Sequence, residues 1–286
     1  MLGVRPLPAA ANGYGPSYPH LLSAPYRLVF GDDFDDKDLS RFNEEAKATR
    51  SGSTAWRSRY RQPRKDIINN EKQIYVDPQF AGSGTQPLGI QPFSISDSRL
   101  TIRAQPIDPH RTAPALWQQR YTSGCVTSEL THWQTYGYFE IRAKLPLGKG
   151  FWPAFWLLPK RPAWPPEIDI FEGSGARPNS LFCGLIEQQP VPPGANSGWL
   201  SLPATGRDGF RVIGLEWTAS RIAWLVDGAP VFEVKNHRVH EDMYLLLNLA
   251  VGSGDPSWIP DPDASTPFPG EFVIDYVRAF KRVGAG

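Results

Sequence analysis

The stretch WPPEIDIFEGSG, residues 164–175, carries three carboxylates within six residues of an otherwise apolar, strand-like segment. Side chains alternate between the two faces of a β-strand, so Glu167 and Asp169 share one face and Glu172 points to the other. One extra residue in a strand forms a β-bulge, which reverses the alternation beyond it. A bulge between Asp169 and Glu172 therefore predicts one surface lined by all three acids.

Three acids on one surface suit the hydrolysis of a glycosidic bond. In retaining glycosidases, one carboxylate attacks the anomeric carbon and a second, about 5–5.5 Å away, acts first as acid and then as base. The segment FWPAFWLLP, residues 151–159, also places Trp152, Ala154 and Trp156 on one strand face, and aromatic surfaces stack on sugar rings. Taken separately, the three acids could form an exposed polar strand face and the two tryptophans could belong to the core. The acids and the tryptophans together favour a sugar-binding site.

The rest of the chain predicts an all-β fold. Short runs rich in β-branched and aromatic residues follow one another, separated by Gly, Pro, Asn and Asp, and VDGAP at 226–230 indicates a hairpin. No segment keeps a helical period over three turns. We expect an extended N-terminal arm at residues 1–25, rich in Pro, Gly and Ala, and then a single sandwich of two antiparallel sheets over residues 26–283.

Composition excludes some classes of protein. With 30 Lys and Arg against 29 Asp and Glu, bulk charge does not indicate nucleic-acid binding. No apolar run is long enough to span a membrane. The N-terminus lacks the apolar segment of a signal peptide, so the chain is cytosolic, has lost its native signal or is exported by another route.

Two further features have two interpretations each. The basic stretch RSRYRQPRK, residues 57–65, is either a solvated loop or a rim that attracts an anionic polymer. Cys125 and Cys183 either form a disulfide or remain as two buried thiols, and neither has the spacing of a metal ligand.

The motif EIDIFE resembles the bulged active-site motif of the laminarinase-like members of glycoside hydrolase family 16. Other segments resemble that family in the same order, over about residues 26–282: YRLVFGDDFDD, NNEKQIYVD, YTSGCVTSELTHWQTYGYFEIRAKLPLGKGFWPAFWLLP, GLEWTASRIAWLVDGAPVF, YLLLNLAVG and FVIDYVRAF. The resemblance implies a concanavalin-like β-jelly roll with a concave substrate cleft. It also implies a retaining endo-β-glycanase acting on β-1,3- and/or β-1,4-glucosidic bonds, with no organic cofactor.

The resemblance also implies roles for individual residues. Glu167 is expected to be the nucleophile, Asp169 its assistant and Glu172 the acid/base, with Trp152 and Trp156 shaping the subsites around the cut. Further expected substrate-binding residues lie in segments that feed the clefts of the family: Asn70, Glu140, Arg142 and Asn248. Many members hold a structural calcium ion with an aspartate of the last strand, so Asp275 is either a calcium ligand or a surface acid.

Some positions depart from the family pattern. Ile186 and Glu187 stand where many relatives have a histidine, Cys125 replaces a charged residue, and Trp258 is displaced along the chain. The segments NNEKQIYVD and PFSISDSRLTIRA are similar to those of bacterial glycanases that trim succinoglycan-type exopolysaccharides. We therefore expect a monomeric enzyme with a polysaccharide substrate, in an extracellular or periplasmic location. The alternatives are an agarase- or carrageenase-type galactanase, a transglycosylase and a non-catalytic sugar-binding module.

Overall fold

A computed structural model describes residues 15–47, 52–108, 114–188, 195–203, 205 and 208–284. Within these ranges the chain forms short 3₁₀ turns at Pro19–Leu21, Leu39–Arg41 and Pro114–Leu116 and otherwise only β-strands. The strands are β1 (Tyr26–Asp32), β2 (Phe42–Asn43), β3 (Trp56–Arg57), β4 (Gln73–Tyr75), β5 (Phe93–Ser96), β6 (Arg99–Pro106), β7 (Tyr121–Ser123), β8 (Cys125–Thr127), β9 (Gly137–Lys144), β10 (Phe151–Pro159), β11 (Glu167–Gly173), β12 (Ser180–Ile186), β13 (Ser197–Ser201), β14 (Arg211–Trp217), β15 (Arg221–Val226), β16 (Ala229–Lys235), β17 (Met243–Val251) and β18 (Gly270–Arg282). The predicted all-β class is confirmed.

The strands form two sheets. The site sheet has eight strands in the order β13-β12-β11-β10-β17-β8-β3-β2. The back sheet has the order β16-β15-β14-β9-β18-β6-β7-β4, with β1 added beside β18 and β5 beside β6. Strands pair antiparallel throughout the described residues, except for the short parallel pairs β2–β3 and β4–β7. The strand β11, which carries the three acids, lies inside the site sheet, between β10 and β12.

The core lies between the two sheets and is built from the inward residues of each strand. On β9, Phe139 and Ile141 are fully buried in this core, as alternation predicts for a sheet with one face inside. Trp224 of the back sheet donates its indole N–H to the backbone oxygen of Asp169 at 2.8 Å. This bond satisfies a buried donor and fixes the catalytic strand to the opposite sheet.

The two cysteines are separate buried thiols. Cys125 packs with Tyr60 and Tyr75 on the cleft side of the site sheet. Cys183 lies in the core between the sheets, where its thiol contacts the backbone oxygen of Ile170 at 3.3 Å. Because they lie on opposite faces of the same sheet, they do not form a disulfide.

The basic stretch at residues 57–65 is mostly occupied by ion pairs. Arg57 and Arg61 both bind the carboxylate of Glu129, and Arg64 binds the buried Asp77. Arg64 also donates to the backbone oxygens of residues 58 and 75, at 2.7 and 2.9 Å. The stretch is therefore neither a solvated loop nor a free cationic rim, because most of its guanidinium groups tie loops to the sheet.

The described part of the predicted N-terminal arm lies against the back sheet. Ser17 donates its hydroxyl to Glu140 at 2.8 Å, and Ser23 donates its N–H and hydroxyl to Glu216 at 2.7 Å. Both glutamates are buried, so the arm supplies donors to carboxylates that are shielded from water. Residues 1–14 of the predicted arm lie outside the described residues. No helix in the described part of the chain is long and apolar enough to cross a membrane.

Candidate active site

The predicted bulge is present in β11. In the pairing with β12, Asp169 lies opposite Gly184 and Glu172 lies opposite Phe182, so three steps on β11 match two on its neighbour. Ile170 and Phe171, two consecutive residues, are both fully buried in the core. The extra inward residue returns Glu172 to the face that carries Asp169. The three acids therefore line one surface.

This surface forms a cleft with residues of β10, β17 and the loop before β4. On β10, Ala154 lies opposite Glu172 and Trp156 opposite Asp169, and Asn248 of β17 pairs with Ala154. The residues that line the cleft are Tyr60, Ile68, Asn69, Glu71, Trp152, Ala154, Trp156, Glu167, Asp169, Glu172 and Asn248. The structure thus brings the predicted trio together with Trp152, Trp156 and Asn248.

Indole groups hold the two outer acids. Trp152 donates its N–H to Glu172 Oε1 at 2.9 Å, and Trp164 donates its N–H to Glu167 Oε2 at 2.7 Å. Each bond fixes a carboxyl orientation and leaves a second oxygen for chemistry. The middle acid differs: Asp169 is only 1% exposed, and no N–H or hydroxyl of the described residues reaches its Oδ2.

The environment separates the protonation states of the three acids. Burial raises the pKa of Glu172 to about 8, with a further rise from the charge of Glu167 and an opposing effect of the Trp152 hydrogen bond. Burial also raises the pKa of Glu167, opposed by hydrogen bonds from Trp164 and Asp169. Burial and the two flanking glutamates raise the pKa of Asp169 well above its usual range.

The consequence is a division of charge among the trio. Three neighbouring carboxylates do not all ionise, because like charges disfavour one another at short range. Asp169 has the most buried position and lacks a donor on Oδ2, so its protonated form is favoured, and that proton bonds Glu167. At neutral pH, Glu172 also holds a proton. Hydrogen bonds from Trp164 and Asp169 oppose the rise in the pKa of Glu167, so of the three acids Glu167 has the environment that best supports a negative charge.

A buried polar chain continues the site toward β17 and β4. Trp156 donates to Asn248 Oδ1 at 2.8 Å, and the amide of Asn248 donates to the hydroxyl of Tyr75 at 3.1 Å. Tyr75 in turn donates to Glu71 at 3.2 Å, and burial raises the pKa of Glu71 to about 7. This chain fixes Trp156 and Asn248 in single orientations and adds a fourth carboxyl to the cleft wall.

Sequence reasoning missed Trp164, Glu71 and Tyr75. Their position in the sequence could have indicated two of them. Trp164 is the first residue of the stretch that contains the three acids, and Glu71 follows Asn70 in the segment NNEKQIYVD. Asn70 itself is not among the residues that line the cleft. It is exposed and donates its amide to the backbone oxygen of Ser253 at 3.1 Å, beside the loop that follows β17.

Two predicted substrate-binding residues lie in the wrong sheet. Glu140 and Arg142 belong to β9 of the back sheet, on the face turned away from the core. Glu140 is buried under the N-terminal arm and also accepts the hydroxyl of Tyr138 at 2.9 Å. Arg142 is ion-paired with Asp275 and Asp208. The prediction that they bind substrate is wrong, because both sheets lie between them and the cleft.

The environment of Asp275 does not fit a calcium site. Its carboxylate faces two guanidinium groups, Arg99 at 3.3 Å and Arg142 at 2.6 Å. Calcium takes six to eight oxygen ligands, and positive neighbours oppose its binding. Among the described residues, no group of three or more His, Cys, Asp or Glu side chains is arranged to hold a metal. Asp275 is best described as a surface acid paired with arginines.

Comparison with known proteins agrees with this geometry. The chain is 35% identical over 215 residues to the endo-1,3-1,4-β-glycanase EglC of Rhizobium meliloti (strain 1021). The aligned region covers 74% of this chain and 43% of that protein. It is 34% identical over 218 residues to the endo-1,3-1,4-β-glycanase ExsH of the same strain, with the same two coverages. The chain thus spans less than half the length of these two relatives.

A solved structure shares the fold. The laminarinase of Rhodothermus marinus superposes with a TM-score of 0.69 at 27% identity, over 92% of this chain and 100% of the other. The model for glycosyl hydrolases family 16 matches residues 95–259, more than half of the chain and a range that includes the bulged strand. On the strength of this match and of the bulged trio in the cleft, the chain belongs to glycoside hydrolase family 16.

Proposed function

We propose that this chain is a retaining endo-β-glucanase that cleaves β-1,3- and/or β-1,4-glucosidic bonds within a polysaccharide. The observation that carries the proposal is the bulge in β11. It brings Glu167 and Glu172 to one cleft wall with Asp169 between them, and burial raises the pKa of Glu172 to about 8, so this acid keeps its proton at neutral pH. A nucleophile and an acid in opposite protonation states are what a double-displacement mechanism requires.

The first displacement breaks the glycosidic bond. Glu172 gives its proton to the glycosidic oxygen while the carboxylate of Glu167 attacks the anomeric carbon. The leaving chain departs as an alcohol, and the retained sugar is bound to Glu167 as an ester. Glu172 is now ionised, and the negative charge of Glu167 has been consumed by the new bond.

The second displacement releases the retained sugar. Ionised Glu172 removes a proton from water, the water oxygen attacks the anomeric carbon, and the bond to Glu167 breaks. Two inversions at one carbon retain its configuration. Asp169 and Trp164 act as positioning residues, because their hydrogen bonds hold Glu167 in the attacking orientation and lower its basicity.

The substrate class is supported by the names of the relatives. Two of them are described as endo-1,3-1,4-β-glycanases, and the solved neighbour is a laminarinase. A polymer too large to enter a cell supports an extracellular or periplasmic location. A sugar-binding module without chemistry has no need for a nucleophile and a raised-pKa acid on one wall.

Product analysis on a panel of polysaccharides tests the proposal. The panel contains mixed-linkage glucan, laminarin, curdlan, a succinoglycan-like acidic exopolysaccharide, agarose and carrageenan. Wild type is compared with Glu167→Ala and with Glu45→Ala, which removes an exposed glutamate distant in sequence from the site. We expect oligosaccharides from a β-glucan or the exopolysaccharide with wild type and Glu45→Ala, and none with Glu167→Ala.

Other results point elsewhere. Products only from agarose or carrageenan would identify a galactanase. Products longer than an oligosaccharide added as acceptor beside the polysaccharide would identify a transglycosylase. Binding to one polymer without products, unchanged in Glu167→Ala, would overturn the proposal in favour of a sugar-binding module.

A further inference from the structure

Three aromatic residues outside the catalytic trio form a cluster beside it, here termed the aromatic wall: Phe182, Trp199 and Trp258. Phe182 lies on β12, Trp199 opposite it on β13, and Trp258 in the segment after β17. Ring centroids are 4.7 Å apart for Phe182 and Trp258 and 5.1 Å for Trp199 and Trp258. The first pair meets edge to face at 86°, and the second is tilted by 59°.

All three rings of the aromatic wall keep part of their surface in solvent. In an edge-to-face pair the edge of one ring lies over the face of the other, so one ring of the pair keeps both faces uncovered by its partner. A cluster of aromatic rings that serves only to fill the core would have its rings fully buried. The wall thus presents partly exposed aromatic surface on the side of the sheet that carries the cleft.

The wall adjoins the acid rather than the nucleophile. Phe182 lies directly opposite Glu172 in the pairing of β11 with β12. Trp258 packs edge to face on Trp152 with centroids 6.0 Å apart, and Trp152 holds Glu172 through its indole N–H. Both contacts therefore lead to the carboxyl that protonates the leaving oxygen.

Small residues lie next to the wall and are closely packed there. Gly184 pairs with Ser197 across β12 and β13, two residues along from the pair of Phe182 and Trp199, and directly opposite residues share a face. A Cβ added at Gly184 would lie 2.8 Å from Cβ of Ser197 and 3.5 Å from Oδ2 of Asp169. The contact of 2.8 Å leaves no room for a side chain at Gly184, so a closely packed floor made of Gly184 and Ser197 connects Asp169 to β13.

A cation holds two members of the wall in place. The guanidinium of Arg177 lies 4.9 Å from the ring centroid of Trp199 and donates to the backbone oxygen of Ser257 at 2.7 Å, next to Trp258. This contact joins two members of the wall that lie far apart in sequence. A preformed, immobilised surface binds a ring with a smaller entropic cost than a flexible one does.

We propose that the aromatic wall and its Gly–Ser floor form the subsite for the leaving-group sugar. The ligand is a pyranose with equatorial hydroxyl groups, as in a β-glucan, because its axial C–H bonds make an apolar face that stacks on an aromatic ring. The acid protonates the oxygen of the departing sugar, so the sugar bound next to Glu172 is the one that leaves. This assignment rests on the proposed glycanase function.

Two substrates that differ only in the leaving group test the assignment. One is the polysaccharide that wild type cleaves, and the other is a β-glycosyl fluoride of the oligosaccharide that it releases. Fluoride is a single atom, so the second substrate occupies no leaving-group subsite. Variants are Trp199→Ala, the conservative Trp199→Phe and the control Trp117→Ala, which removes a tryptophan 39% exposed that packs on Phe80.

We expect Trp199→Ala to lower kcat/KM on the polysaccharide roughly tenfold, equivalent to about 1.4 kcal/mol, and to leave kcat/KM on the fluoride unchanged. Trp199→Phe should recover part of the loss, and Trp117→Ala should match wild type on both substrates. Retained turnover of the fluoride also shows that the variant is folded.

Three results overturn the assignment. Equal losses on both substrates mean that Trp199 supports the fold or the retained sugar. No loss on either means that the wall binds no sugar. In both cases wild type still cleaves the polysaccharide, so the result contradicts the subsite assignment and not the proposed function. If wild type cleaves neither substrate, the proposed function fails and the subsite fails with it.

Discussion

The hydrogen bond from Trp152 to Glu172 predicts a shift in the pH dependence of the enzyme. The indole N–H lies 2.9 Å from Glu172 Oε1 and stabilises the ionised carboxylate more than the neutral acid. Replacing Trp152 with Phe removes this donor and keeps an aromatic ring for the contact with Trp258. The pKa of Glu172, about 8 with the donor in place, should therefore rise in Trp152→Phe.

The size of the shift follows from the strength of the bond. A hydrogen bond to a charged group contributes about 1.5–3 kcal/mol, and 1.36 kcal/mol corresponds to one pH unit in a pKa. Glu172 is partly open to solvent, where water replaces some of the lost interaction, so the lower end of the range applies. We expect the pKa of Glu172 to rise by about one pH unit.

The assay is the pH profile of kcat/KM, which reports the essential groups of the free enzyme. In the proposed mechanism Glu172 acts in its protonated form, so the alkaline limb of the profile should move from about pH 8 to higher pH in Trp152→Phe. The control is Trp156→Phe, because that indole donates to Asn248 and not to a carboxylate. It should lower the rate without moving the limb. An alkaline limb that stays in place or moves downward in Trp152→Phe would refute the reasoning.

Two further predictions concern stability. The folded pKa of Glu172 lies above its unfolded value, so this group favours the folded state below pH 4.5 and loses that contribution as pH rises through about 8. Glu172→Gln, which cannot ionise, should unfold at nearly the wild-type temperature at pH 4 and a few degrees higher at pH 9; an equal difference at both pH values would contradict this. Arg64→Ala should lower the free energy of unfolding in urea by about 3–5 kcal/mol, because it leaves the buried charge of Asp77 unpaired, whereas exposed Lys65→Ala should change it by less than about 0.5 kcal/mol. Similar losses in the two variants would show that Arg64 holds no buried charge.

Several features of the site followed from local sequence pattern. Alternation along a strand is a property of consecutive residues, so three acids at 167, 169 and 172 were enough to predict a bulge and a shared face. The same reasoning placed Trp152 and Trp156 together in the cleft. The all-β class likewise followed from short strand-like runs and their turn residues.

Other features depended on contacts between distant segments. Alternation puts Glu140 and Arg142 on a common face of β9 but does not say which sheet contains β9. Likewise, the sequence shows five positive charges at 57–65 but not the acids at 44, 77 and 129 that neutralise most of them.

The sequence by itself determined that the three carboxyls share one surface, because they lie within one strand and their geometry is local. Only the tertiary structure decided their protonation states and their surroundings. The pKa values depend on burial and on indole donors from β10 and from the loop before β11, and the aromatic wall joins residues 182, 199 and 258. Burial and long-range pairing arise when the sheets form and pack, and no short stretch of sequence contains that information.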